Sequence, residues 1–130
     1  MLKSKTARLI WGILFFTWSI TIIVLILIPD EELVKLGVDN SEFRWDYVHH
    51  FSAFLLFALL FLLWRGNDPE KRRLIMLLLA GVFFASFTEL SQLFIPSRNF
   101  NYIDLLCNLA GLPAGIILVR FFTGLRASST

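Results

Sequence analysis

The sequence predicts an all-α membrane protein, a polytopic bundle of four transmembrane helices with both termini cytoplasmic. Three observations carry this. Of the 130 residues, 57% are hydrophobic and only 17% are charged, with 14 Phe and a mean hydropathy of +0.72. Four apolar stretches come close to or reach the roughly 20 helical residues that cross a bilayer core. None of them alternates as a strand would, so helices remain the way to satisfy the backbone in lipid. The length fits a single transmembrane domain over residues 1–130.

The first stretch runs from Leu9 to Ile28 and ends at Pro29. Lys3, Lys5 and Arg8 precede it, as in a signal peptide, but its length and the lack of a small-x-small cleavage site favour a retained anchor helix. The second stretch, Tyr47–Trp64, is slightly short. The third, Leu74–Ile95, carries Glu89, and Asp68 followed by Pro69 is a good helix start ahead of it. The fourth, Ile103–Phe122, carries Asp104 and contains Pro113, which removes a backbone bond and favours a kink. Residues 30–44 have the composition of a short surface helix around Leu33, Val34 and Leu36. Trp11, Trp45, Trp64 and Tyr102 fall near the proposed interfaces, where amphipathic aromatics concentrate.

Orientation follows from Lys and Arg. Nine lie at the termini and between the second and third stretches, against three (Lys35, Arg44, Arg98) on the other side. Positive loops stay in the cytoplasm, so Asp30–Asp46 and Pro96–Tyr102 face outward. The net charge of +2 and pI near 9.0 then serve orientation and give no reason to expect nucleic acid. A single cysteine, Cys107, excludes an internal disulfide and reads as a small packing residue.

Ionisable groups inside apolar helices are costly, about 2.5–3.5 kcal/mol each at mid-helix, and they usually mark a site. Here they are Asp46, His50, Glu89, Arg98 and Asp104, with the polar amides Gln92 and Asn108 among them, and the topology brings all seven to the outer ends of the second, third and fourth helices. Asp46 and His50 stand four residues apart on one helix face, with His49 the adjacent alternative. Asp46 and Asp104 are also plain first-turn acids that suit the helix dipole. Ser86, Glu89 and Gln92 follow at spacings of three, and Glu89 lies about 9 Å below the end of its stretch at 1.5 Å per residue. Glu89 should face the bundle interior, paired or protonated, with Arg98 or His50 as the structural partner. Arg98 can fork onto a carboxylate or phosphate, or reach lipid phosphates. Asp104, Asn108, Gly111 and Gly115 occupy one narrow arc. The two glycines read as packing residues that let another helix approach, with Asn108 bonding across the contact.

These residues make the chain resemble the VanZ-like family of small bacterial integral membrane proteins over about residues 46–122. The family's Asp-x-x-x-His-Phe start is here Asp46 to Phe51. Its Glu-x-x-Gln-x-Phe-x-Pro-x-Arg element is Glu89 to Arg98, and its Asp-x-x-x-Asn-x-x-Gly-x-x-x-Gly element is Asp104 to Gly115. Many members carry Lys after the first Asp, where this chain has Tyr47. The resemblance implies a multi-pass protein of the bacterial cytoplasmic (inner) membrane. The family is named for a protein linked to low-level resistance to teicoplanin, a lipidated glycopeptide acting on the cell envelope.

Three functions compete. The seven polar residues can form an outward pocket for the head group of a membrane lipid or lipid-linked envelope precursor, with Arg98 on a phosphate or carboxylate. They can instead run acid–base catalysis, Asp46 orienting His50 as base and Glu89 acting as acid. No Ser or Cys is convincingly placed as a nucleophile, so no catalytic residue is assigned. Or they can only fasten short helices as part of a structural accessory subunit. A divalent ion on His50 with Asp46, Glu89 and Asp104 is a weaker variant: two histidines and no compact ligand motif lead us to expect no metal and no cofactor. A homo-oligomeric state is not legible.

Overall fold

The computed structural model describes residues 5–29, 45–66, 70–96 and 98–127, with side chains to residue 123. The Asp68–Pro69 helix start and the surface helix over residues 30–44 lie outside the described residues. Among the described residues, four helices are long and apolar enough to cross a membrane: α1 (Lys5–Leu27), α2 (Trp45–Trp64), α3 (Glu70–Ser91) and α4 (Tyr102–Ala127). A 3₁₀ turn, Gln92–Phe94, extends α3. There is no strand among the described residues.

The sequence-based boundaries shift by a few residues. Helix α1 starts at Lys5 rather than Leu9, because the charged residues there are good helix formers that apolarity alone leaves out; α3 is already helical at Glu70, ahead of the apolar stretch that begins at Leu74, as a helix start before that stretch predicts. The third stretch does not stay α-helical to Ile95: its last turn tightens to 3₁₀ and the chain turns extended at Ile95, ahead of Pro96. Pro113 lies on an exposed face of α4, which continues through it to Ala127.

Helix α2 is the hub, packing on α1, α3 and α4. Its contact with α4 is set by two glycines. A Cβ on Gly111 would stand 2.4 Å from the Phe51 carbonyl oxygen and 2.8 Å from the Leu55 nitrogen, and one on Gly115 would stand 2.7 Å from the Leu55 carbonyl oxygen. Both obstacles are backbone, which cannot yield as a side chain can, so the helices touch only because Cβ is missing. Partner numbers on the two helices rise together, so α2 and α4 run parallel.

The α1–α2, α2–α3 and α3–α4 pairs are antiparallel. On the α1 side, Gly12 faces the Trp64 indole, Phe15 stacks on Trp64 at 5.4 Å and touches Phe57, and Trp18 Nε1–H donates to the Ala53 carbonyl at 3.0 Å. On the α3 side, Phe84 stacks on Phe57 at 5.3 Å, and Gly81 makes room for Leu112 of α4. Each aromatic pair adds about 0.5–1.5 kcal/mol beyond its burial. Outward-facing Leu9, Ile13, Leu79, Phe83 and Ile117 are 56–72% exposed, as suits helices whose outer solvent is lipid.

Candidate functional site

The polar residues meet where α2 and α4 begin and α3 ends. Parallel α2 and α4 start at the same end of the bundle, and antiparallel α3 returns to it. A common register then pairs Asp46 with Asp104 and His50 with Asn108. The helix contact at Gly111 and Gly115 lies one to two turns deeper and holds that register.

Asn108 is the centre of the cluster and is fully buried. Its side-chain NH2 donates to Glu89 Oε1 at 2.8 Å, and its carbonyl Oδ1 stands 3.1 Å from His50 Nδ1. Three helices are thereby tied through one amide. Glu89 is also fully buried, with Oε1 3.5 Å from His50 Nδ1, while its Oε2 has no hydrogen-bond partner among the described residues. On the other edge of the ring, His50 Nε2 lies 3.5 Å from Asp46 Oδ1 and 3.9 Å from Asp104 Oδ2. The His50 side chain is 12% exposed and that of Asp46 50%, so the cluster grades from sealed at Glu89 to open at Asp46.

Five of the seven residues singled out in the sequence therefore converge: Asp46, His50, Glu89, Asp104 and Asn108. Gln92 is buried one turn beyond Glu89, in the 3₁₀ turn, where its backbone carbonyl accepts from Ile95. Arg98 lies half-buried in the following turn, and its backbone N–H donates to the Ile95 carbonyl at 3.2 Å. The ion-pair neighbour of Glu89 is His50, not Arg98. Of the two histidines, His50 faces the cluster and His49 is exposed.

One buried polar neighbour was not anticipated. Thr88, beside Glu89, is 1% exposed and returns its hydroxyl to the Ala85 carbonyl at 2.9 Å. Threonine can bond its own helix in this way, so nothing in its residue type distinguishes a buried position from an exposed one. Ser86, by contrast, is only half-buried. Ser91 bonds the Phe87 carbonyl of its own helix.

Chemically the cluster is an imidazole flanked by three carboxylates and one amide. It can bind and orient a donor-rich or positively charged group, or relay a proton. Among the described residues, no polar partner of His50 is a hydroxyl or thiol.

These features define a class: a small multi-pass helical membrane protein with a buried polar cluster at one end of its bundle. A family model described as VanZ/LLP1 matches residues 6–123, nearly the whole chain, taking in α1 as well as the three helices that build the cluster. The chain belongs to the VanZ/LLP1 family. Comparison with curated proteins and with solved structures gives no match.

Proposed function

We propose that this VanZ/LLP1 protein binds the polar head group of a membrane lipid or lipid-linked cell-envelope precursor at the cluster formed by Asp46, His50, Glu89, Asp104 and Asn108. The observation that supports it best is the gradient of burial. A purely structural fastening has no use for an open side, yet this cluster runs from a sealed Glu89 to a half-exposed Asp46. A head group entering at Asp46 would find acceptors for its amine or hydroxyl donors, with the apolar outer faces of the helices for its chains. Arg98, in the turn at the same end, is suited to a phosphate or carboxylate on that head group. The excess of Lys and Arg at the other end and in the termini supports an outward-facing cluster in a bacterial inner membrane.

The test is native mass spectrometry of the protein purified with its own membrane lipids, wild type against Glu89→Gln and Arg98→Ala. A retained lipid lost from both variants supports the reading and names the ligand class. No specific adduct in the wild type, with both variants merely less stable, removes it and leaves a structural cluster.

A further inference from the structure

The arrangement around His50 has a chemical consequence that head-group binding alone does not use. Asn108 presents its NH2 to Glu89 and its carbonyl oxygen to His50 Nδ1, 3.1 Å away. A carbonyl only accepts, so Nδ1 carries a proton, and Nε2 offers its lone pair once an incoming ion displaces any proton there. Nε2 faces Asp46 Oδ1 at 3.5 Å and Asp104 Oδ2 at 3.9 Å, both longer than a good hydrogen bond. Three electron-rich atoms thus point towards one small volume, each held on a helix rather than on a loop.

We propose that Asp46, His50 and Asp104 bind a divalent first-row transition-metal ion, Zn2+ or Mn2+. One ligand atom from each residue lies within 4.8 Å of the others. Bonds of about 2.0–2.4 Å place ligand atoms roughly 3–4.5 Å apart, so an ion seats here with only small side-chain rotations. The outer contacts match the way metal-bound histidines are held, with the non-ligating N–H donated to a fixed acceptor. Here that acceptor is Asn108, itself braced by Glu89. One imidazole with two carboxylates is a mixed N/O set, favouring Zn2+ or Mn2+ over the all-oxygen preference of Mg2+ and Ca2+. The half-exposed Asp46 side chain gives the ion its way in and leaves coordination positions for an outside ligand. Metal binding stands independently of the lipid. If the head-group reading also holds, the ion supplies the positive charge that lets a phosphate approach a site of three carboxylates.

The experiment uses the full chain in detergent without added lipid, stripped with a chelator. It is titrated with Zn2+ by calorimetry and with Co2+ by visible absorption. The expected result is one saturable ion per chain and a higher thermal midpoint with Zn2+. Asp46→Asn weakens binding at least tenfold, His50→Gln abolishes it, and millimolar Mg2+ does not compete. No saturable binding by the wild type, or binding kept by both variants, overturns the proposal. Asp46→Asn alters a half-exposed side chain, so its result stands even if His50→Gln fails to fold. Because lipid is absent, failure here leaves the head-group reading untouched, and loss of a lipid adduct leaves the metal site untouched.

Discussion

The two ends of the bundle use their polar groups in opposite ways. At the end where α2 and α4 begin, Glu89, Asp104 and Asn108 are buried and joined with His50 across three helices. At the other end, Arg120 pairs with Glu70 through side chains that are 60% and 59% exposed. There Arg73 donates to the Gly66 carbonyl at 3.2 Å, and the Arg65 guanidinium lies over the Trp64 ring at 5.4 Å. A cleft of about 280 Å³ between α2, α3 and α4 opens beside that exposed pair. Burial is what separates them. A solvated ion pair contributes about 0–1 kcal/mol and tolerates loss of a partner, whereas a buried polar group left alone costs its full desolvation. One end keeps its ion pair in solvent; the other buries its polar groups between helices, where the proposed ligand would bind.

Four substitutions break or sharpen that contrast. The largest effect is expected from Gly111→Leu, since even a Cβ meets the Phe51 and Leu55 backbone. It should cost 3 kcal/mol or more, at or above the usual 1–3 kcal/mol of overpacking, and lower the unfolding midpoint in an SDS titration. It should also separate α2 from α4, so a disulfide between cysteines placed at positions 46 and 104, formed in the parent, should fail to form. Next comes Asn108→Leu, which strands Glu89 and His50 together. A loss of about 1–3 kcal/mol is expected, and Glu89→Leu in the same background should recover part of it. Failure to recover would show that the amide packs rather than bonds.

Smaller effects lie elsewhere. Trp18→Phe removes the bond to the Ala53 carbonyl while keeping an aromatic ring, and interhelical bonds in membranes average about 0.6 kcal/mol. The smallest belongs to Arg120→Gln. Its loss should stay below about 1 kcal/mol and shrink further in 0.5 M salt. If Arg120→Gln proved as damaging as Asn108→Leu, the contrast between the ends would be false.

Much of this was legible from residue order. Glu89 announced itself because a carboxylate deep in an apolar run must turn inward, and His50 and Asn108 followed at helical spacing from Asp46 and Asp104. The choice between His50 and His49 was not legible, because adjacent residues differ by about 100° around a helix and only the partner decides which one faces inward. Nor was the partner of Glu89: Arg98 and His50 were equal candidates by charge, and three-dimensional placement selected His50.

The sequence by itself determined four membrane-crossing helices and the family. Hydropathy and segment length are properties of consecutive residues, and the lack of water in the bilayer core leaves helices as the means of pairing their backbone. It also determined that the polar groups gather at one end, since alternating helix direction sends the starts of the second and fourth helices and the end of the third to the same side. Only the tertiary structure decided that α2 and α4 touch backbone to backbone at Gly111 and Gly115, and that Asn108 joins His50 to Glu89. These depend on how each helix is rotated and which neighbour it meets, and that is fixed by close packing among residues far apart in the chain.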